Sequence, residues 1–249
     1  ITDGNEAGAA RAAEMLARAF WDRRRDFEVE TTPMDEAIRA GLAVQGGFVV
    51  LADAADCTGG GARGDSAVVL ARLLALAPEA SAAVPVVDPE TAAAAHRAGE
   101  GTRIAVKLGN RSVAEYGAPL ALEAEVVRLL GGTFTYRGGI MGGAKAEMGP
   151  SAWLRVGQVD VVVATNPTYE YSDEQFQAAG FDPRARRFVV VKNPMNYQQA
   201  FAGASAMFIL DAPGPTTSAL AGIVVPRARA GRPFWPFERD FTPAIAARP

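Results

Sequence analysis

The residues best suited to chemistry stand together in one stretch, between positions 53 and 66. Two carboxylates and the single cysteine precede a run of glycines, which ends in an acid and a hydroxyl. Carboxylates could meet a cation, an amine or a metal-bound water, and glycines let backbone approach a ligand closely. The stretch is therefore the first candidate for a binding or catalytic site, with these residues: Asp53, Asp56, Cys57, Gly59, Gly60, Gly61, Asp65 and Ser66.

The elements on either side of this loop explain how it would be positioned. The apolar run Phe48–Ala52 predicts a buried strand, and the apolar spacing after Ser66 predicts a helix. Asp65 or Ser66 suits the N-cap of that helix, because a side-chain oxygen there accepts an orphan N–H. Ligands of α/β sheets gather in such loops at the carboxyl ends of strands.

Two nucleotide motifs nearly fit the loop. Gly59 and Gly64 have the phosphate-loop spacing, but Asp65 stands where that motif needs lysine. The same glycines, with Gly61, spell a dinucleotide fingerprint, yet Asp53 and Asp56 would oppose a pyrophosphate. A nucleotide site is therefore disfavoured. A plain turn at a helix start and a loop that approaches a substrate both remain open.

The rest of the chain predicts an α/β fold: a mixed sheet with a βαβ-like core flanked by helices and an antiparallel hairpin insertion. Strands in one largely parallel sheet are expected at Phe48–Ala52, Ala83–Val87, Arg187–Val191 and Ala206–Leu210. The hairpin region is expected between Thr102 and Thr165, with Leu120–Leu129 as a strand. Helices are expected at Asn5–Arg25, Pro33–Leu42, Ser66–Ala77, Pro89–Ala98, Ser172–Gly180 and Tyr197–Ala202.

Composition excludes several classes of protein. The net charge of −3 has no basic excess of the kind that nucleic-acid binding needs. No apolar stretch has the length of a membrane span, and the first residues are not a secretion signal. One cysteine cannot form an internal disulfide. A cytoplasmic protein is the default expectation. The start at Ile1, without methionine, suggests one piece of a longer or split protein.

The motif from Ala52 to Ser66 resembles the signature of the MlrC family of zinc metallopeptidases, named for microcystin degradation. The pattern is Ala-Asp-x-x-Asp, then Asn or Cys, then x-Gly-Gly-Gly-x-x-Gly-Asp-Ser. The likeness continues through Val190–Tyr197 and Asp211–Gly214, and it ends at Arg232–Pro236. It covers nearly the whole chain, but only the C-terminal half of the family. It implies a helical segment at residues 1–45, leading out of an N-terminal domain, and an MlrC-type C-terminal α/β domain at residues 46–249.

The resemblance implies a zinc-dependent hydrolase that cleaves a small peptide or related amide with metal-activated water. The zinc ligands would come from an N-terminal MlrC-type domain, since one histidine and one cysteine cannot supply three zinc ligands. The chain alone should therefore be inactive. Asp56 could assist proton transfer or orient a ligand, or it could only bond to loop N–H groups. For Asp53 we favour that structural alternative.

Two further residues are candidates for substrate binding. Lys192, at a strand end, could hold a substrate carboxylate, or it could be an exposed strand end. Asn196 stands where some members of the resembling family carry histidine, so microcystin is not assumed as the substrate. His96, on an alanine-rich helix, is expected to be a surface residue rather than a ligand.

A second hypothesis is a non-catalytic ligand-binding or oligomerisation domain, with the loop as scaffold. Bound metal near Asp56 in a longer protein would favour the enzyme. An apolar patch over the hairpins would favour the interaction module, and a homo-oligomer is compatible with both.

Overall fold

The computed structural model describes residues 4–112, 114–219, 235–236 and 241–242. The chain divides into two compact units. One comprises Ile1–Glu30 with Ala219–Pro249, and the other is Thr31–Ser218. The predicted division of the protein at residue 45 stays a prediction. The glycine-rich loop lies in the second unit.

A nine-stranded sheet forms the centre of the second unit, and a two-stranded sheet lies apart from it. The order in the large sheet is β1-β11-β2-β10-β3-β9-β8-β5-β4, and β6 pairs with β7. The strands are β1 (Thr32–Pro33), β2 (Val49–Ala52), β3 (Ala82–Val87), β4 (Arg103–Leu108), β5 (Leu120–Leu130), β6 (Thr133–Thr135), β7 (Lys145–Glu147), β8 (Ser151–Val156), β9 (Val159–Ala164), β10 (Phe188–Val191) and β11 (Ala206–Asp211).

Five helices of the second unit lie between strands along the chain. They are α2 (Met34–Ala43), α3 (Val68–Leu76), α4 (Pro89–Ala98), α5 (Glu174–Ala179) and α6 (Tyr197–Ala200). Asp88 caps α4 by accepting hydrogen bonds from the N–H groups of Glu90 and Thr91, and Pro89 takes the first helical position. That start is as predicted, because an acid before proline satisfies orphan donors and proline needs no hydrogen bond there.

The predicted parallel sheet is confirmed. Strand β2 pairs in parallel with β10 and β11, and β3 pairs in parallel with β10 and β9. All four residues of β2 and of β10 are buried. Their continuous valine-rich runs are typical of strands covered on both faces.

The antiparallel region is also confirmed, but it extends the same sheet rather than forming a separate insertion. The antiparallel pairs are β4 with β5, β5 with β8, and β8 with β9. Strand β9 also pairs in parallel with β3, which joins this region to the parallel half of the sheet. Leu120–Leu129 lies within strand β5, as predicted. The segment from 152 to 165 is two strands, because Gly157 turns the chain at φ 57°. Strands β1 and β7 were not predicted.

The sheet has a hydrophobic core on each face because side chains alternate along a strand. Val49 and Leu51 of β2 belong to one core, and Val50 and Ala52 belong to the other. Both cores are needed to hold β2 in register, and β2 leads directly into the glycine-rich loop.

The first unit contains the helix α1 (Glu6–Asp22) and a 3-10 turn (Arg24–Phe27). Asn5 caps α1, accepting a hydrogen bond from the N–H of Gly8. Trp21 contacts the rings of Trp235 and Phe241 within this unit. The tail around Arg232–Pro233 lies outside the described residues. Among the helices of the described residues, none is long and apolar enough to cross a membrane.

Candidate functional site

The candidate loop begins where β2 ends, at the carboxyl edge of the sheet. Two 3-10 turns, Ala54–Asp56 and Thr58–Gly60, carry the chain away from the strand. Gly61 and Gly64 have positive φ values of 97° and 74°. These are left-handed conformations that glycine adopts without the cost a side chain would incur. Two of the four glycines between positions 59 and 64 therefore shape the loop through their conformation.

The predicted cap of the next helix is wrong in its position. The N-cap of α3 is Ala67, which has no capping side chain. The hydroxyl of Ser66 instead accepts a hydrogen bond from the N–H of Val68 at 3.3 Å, and the side-chain oxygen of Asn110 accepts one from Ala67. The side chain of Asp65 instead accepts hydrogen bonds from Arg111 and Ser112. Likewise Asp173, not Ser172, precedes α5, and it makes no capping hydrogen bond.

A buried ion pair organises the loop. The ammonium of Lys192 lies 2.6 Å from Oδ2 of Asp56, and both side chains are almost fully buried. Lys192 also donates to the backbone oxygens of Gly64 and Ser66, each at 2.8 Å. Because an ammonium has three donors, this lysine is saturated. Of its two predicted alternatives, the exposed strand end is wrong. Its role in substrate binding stays a prediction.

Asp56 closes the loop on itself. Its two oxygens accept hydrogen bonds from the N–H groups of Gly64 at 2.9 Å and Ser66 at 2.7 Å. Together with Lys192 these contacts hold the first and last parts of the loop against the end of β10. They correspond to the bracing alternative for Asp56. A catalytic part for Asp56 is compatible with them only if the carboxylate acts from within this network, and it stays a prediction.

Asp53 has the opposite surroundings. It is 1% exposed, and neither carboxylate oxygen has a hydrogen-bond partner. Burial raises the pKa of Asp53 to about 6, and the charge of Asp56 adds to the rise, while the charge of Lys192 opposes it. The expected hydrogen bonds from loop N–H groups are therefore not formed with normal geometry.

Glu170 is a member of the site that the sequence analysis missed. It follows β9, and its Oε2 accepts a hydrogen bond from the N–H of Lys192 at 2.6 Å. Burial raises the pKa of Glu170 to about 7, opposed by the hydrogen bond and charge of Lys192. Its position after a buried strand, between Tyr169 and Tyr171, was the available signal. Three carboxylates and one ammonium thus share this edge of the sheet.

Cys57 is 5% exposed, and burial raises the pKa of its thiol. A buried thiol with a raised pKa is a poor nucleophile, because only the thiolate reacts. Its backbone N–H donates to the hydroxyl of Thr216, which in turn donates to the oxygen of Ala54. Cys57 therefore joins the loop to the segment that follows β11.

Asn196 lies on the other flank of the loop. Its side-chain oxygen accepts a hydrogen bond from the hydroxyl of Tyr169 at 3.2 Å. The ring of Tyr169 lies so close to Gly59 that a Cβ there would be 2.5 Å from it. At Gly60, an added Cβ would be 2.9 Å from Thr216. Both glycines are thus required by close packing.

Asp65 anchors a second loop. Its Oδ2 accepts hydrogen bonds from the N–H of Arg111, and from the N–H and hydroxyl of Ser112. The loop between β4 and β5 is thereby held beside the glycine-rich loop. A pocket of about 220 Å³ lies where these two loops meet the segment after β11. Its lining includes Asp56, Gly61, Arg63, Asp65, Ser66, Tyr116 and Pro213.

The residues present do not fit a zinc site. Within the described residues, no group of three or more His, Cys, Asp or Glu side chains could hold a metal ion. The ring Nε2 of His96 lies 2.9 Å from the backbone oxygen of Ser151, and Asp56 is committed to Lys192. A catalytic zinc needs three protein ligands and an open position.

Comparison with known proteins gives consistent matches. The family model described as the MlrC C-terminus matches residues 51–226. Microcystinase C from a Sphingomonas species is 24% identical over 192 residues, which are 76% of this chain and 36% of that protein. The crystal structure of a candidate metallopeptidase from Mesorhizobium sp. BNC1 matches with a TM-score of 0.82 and 27% identity. The match covers 96% of this chain and 47% of that one. The chain thus spans less than half the length of these relatives.

Proposed function

The chain belongs to the MlrC family through its C-terminal domain, and from this membership we propose that it is the C-terminal part of a zinc-dependent metallopeptidase. The complete protein would cleave a peptide or a related amide bond. The relatives named as a microcystinase and a candidate metallopeptidase support the class of reaction. Microcystin as the substrate is not part of the proposal, because it is named only for a relative at 24% identity.

The observation that carries the proposal is the placement of the family signature. Residues 52–66 lie at the carboxyl edge of the sheet and open onto the pocket beside Ser66. Parallel sheets bind their ligands at this edge. We propose that this edge faces a cleft and that an N-terminal domain, with the zinc ligands, forms its other wall. The relatives are long enough for such a domain.

In this proposal the residues of the chain shape and hold the cleft. Lys192 and Asp56 keep the glycine-rich loop in one conformation. They bond to each other, and both bond to the backbone of Gly64. Gly59, Gly60 and Gly61 present backbone to a substrate, and Asn196 with Tyr169 borders it. A rigid wall of this kind orients a substrate before reaction.

A longer form of the protein tests the proposal. It would include the coding sequence upstream of Ile1 and would be assayed for cleavage of short peptides, with zinc and after chelation. The expected result is zinc-dependent cleavage that the present chain lacks. An upstream sequence without spaced histidines and acids, or a metal-loaded long form that cleaves no peptide or amide, would overturn it.

The role of Asp56 is tested in the same long form. If Asp56 is catalytic, Asp56→Asn should lower kcat by roughly 100-fold or more at a temperature where the variant is folded. If it only braces the loop, the melting temperature falls and kcat is retained. Asp22→Asn, at the exposed end of α1, is the matched control and should change neither.

The alternative of a non-catalytic binding or oligomerisation domain has one observation in its favour. The signature carboxylate Asp56 is fully engaged inside the fold, as it would be in a scaffold. If the long form binds zinc and keeps full turnover after Asp56 is replaced, the protein is an enzyme in which Asp56 is not catalytic. If the long form neither binds zinc nor shows turnover, the non-catalytic alternative is favoured.

A further inference from the structure

The pocket beside the glycine-rich loop has an unusual balance of charge. Asp56, Asp65 and Arg63 are the charged residues of its lining. Both carboxylates already have hydrogen-bond partners. Asp56 is paired with Lys192 and bonded to two backbone N–H groups, and Asp65 accepts three hydrogen bonds from the neighbouring loop.

Arg63 is in the opposite situation. Its side chain is exposed, and it forms no ion pair or hydrogen bond with any residue that the structure describes. The preceding residue, Ala62, is buried at 7% exposure, which fixes the backbone from which Arg63 extends. Among the described residues of the lining, the guanidinium of Arg63 is therefore the charged group left free to bond a ligand.

The other walls of the pocket are apolar or neutral. Pro213 and Pro215 form one side, and Tyr116 and Ser112 form another. The volume of about 220 Å³ is below the roughly 300–1,000 Å³ of sites for drug-sized ligands. The pocket is accordingly sized for a single residue-like group rather than for a whole peptide.

We propose that this pocket binds a carboxylate of the substrate, held by Arg63, with the adjoining apolar group against Pro213, Pro215 and Tyr116. The substrate class is then a peptide with a free C-terminal carboxylate or an acidic side chain. The choice of a peptide rests on the proposed function, whereas the choice of an anion rests on the charges of the pocket. Arginine suits this role because its planar donors match the two oxygens of a carboxylate.

The gain from Arg63 should be modest. The guanidinium is exposed, and exposed ion pairs are weak because water and salt screen them. Glu115 also lies beside the hydroxyl of Tyr116, close to the rim, and repels an anion. A three- to fivefold preference for an acid over its neutral amide is therefore the expected scale at low salt.

Titration of the ¹⁵N-labelled chain with three matched probes tests this inference. The probes are N-acetylphenylalanine, N-acetylphenylalaninamide and phenylalaninamide, which are anionic, neutral and cationic with the same aromatic body. The anion should shift the backbone amide signals of Gly61, Ser66 and Ser112 and should bind three- to fivefold more tightly than the neutral amide. The difference should shrink at high salt.

Two variants assign the preference to one side chain. Arg63→Met should abolish the difference between acid and amide while retaining weak binding of the aromatic body. Arg97→Met removes an exposed arginine of α4 that lines none of the pocket, so it should leave the difference intact. Unchanged melting temperatures would show that both variants are folded.

Several outcomes would overturn the inference. These are equal binding of acid and amide, tighter binding of the cation, a preference that survives in Arg63→Met, and no shift of the pocket signals with any probe. The test measures no hydrolysis. An inactive long form with intact discrimination would therefore refute the proposed function and leave the carboxylate site standing.

Discussion

At the scale of single residues, the conformation of the glycine-rich loop depends on a buried ion pair. Removal of either partner should destabilise the fold. Asp56 and Lys192 lie 2.6 Å apart at almost no exposure. Removing one partner of such a pair typically costs about 3–5 kcal/mol, because the other charge stays buried without compensation. The pair therefore specifies the loop's conformation more than it adds net stability.

A double-mutant cycle measures this coupling. Asp56→Ala and Lys192→Met should each lower the free energy of unfolding by about 3–5 kcal/mol. The double variant should lose less free energy of unfolding than the two single variants lose together, because it leaves no uncompensated charge. Urea unfolding of the four forms gives the coupling energy. Strictly additive losses would mean that the two side chains do not interact in solution. Asp35 and Arg72, a half-exposed pair, form the matched control cycle and should show little coupling.

The second prediction at this scale concerns Asp53 and pH. Its pKa is raised to about 6 in the folded protein, mainly by burial, above the ordinary value of 3.8. The folded state therefore holds a proton that the unfolded state releases between about pH 4 and 6. Stability from this group is complete at low pH and is lost as the pH rises through the folded pKa.

Asp53→Asn removes that titration. The variant should gain in melting temperature relative to the parent as the pH rises from 5 to 8, because an amide has no charge to bury. Asp211→Asn, at an exposed strand end, should show no such trend. Thermal melts at the two pH values decide the matter. A constant difference between Asp53→Asn and the parent would show that the carboxylate is solvated.

At the scale of elements, the loops that follow β2, β4 and β11 contact one another as well as the strands from which they extend. The segment after β11 contacts the turn after β2 through Gly214, where an added Cβ would lie 2.2 Å from the backbone oxygen of Ala55. The N–H of Thr216 donates to the same oxygen at 3.0 Å. The two loops are therefore packed backbone against backbone at this point.

Gly214→Ala tests that contact. The substitution should lower the free energy of unfolding by about 1–3 kcal/mol, because the backbone of one loop must move to admit the methyl group. Gly131→Ala is the control, since a Cβ there meets nothing within 4 Å and its φ is not positive. Chemical denaturation of the two variants compares them directly. Equal stability of both would mean that the two loops separate easily.

At the scale of the whole molecule, the chain covers less than half the length of the two relatives. It spans 47% of the candidate metallopeptidase and 36% of the microcystinase. The described residues offer no cluster of metal-binding side chains. In the proposed function, the metal ligands therefore belong to the N-terminal domain.

The corresponding prediction is that the present chain binds no stoichiometric zinc at pH 7 and shows no peptidase activity. Elemental analysis after dialysis against zinc, with the long form as positive control, provides the measurement. Three good zinc ligands cannot come from one histidine, whose ring lies against a backbone oxygen, and one buried cysteine. Zinc bound one-to-one by the present chain would contradict this count of ligands.

The sequence by itself determined the parallel strands, the capped start of α4 and the place of the glycine-rich loop. Those features depend on local patterns, since apolar runs, an acid before proline and clustered glycines act within a few residues. The family signature added the class of protein. Asp56 and Lys192 were both identified as candidates, although 136 positions separate them.

Only the tertiary structure decided how those candidates are used. The pairing of Asp56 with Lys192, the lack of partners for Asp53 and the inclusion of Glu170 all depend on which strands lie side by side. The cap of α3 is displaced because Asn110, from a distant loop, occupies the N–H of Ala67. The exposure of Arg63 at a pocket, without a partner among the described residues, likewise depends on how three distant segments meet. Burial and pairing between remote segments leave no periodic trace in sequence, so the physical state of each charge could be assigned only from the folded chain.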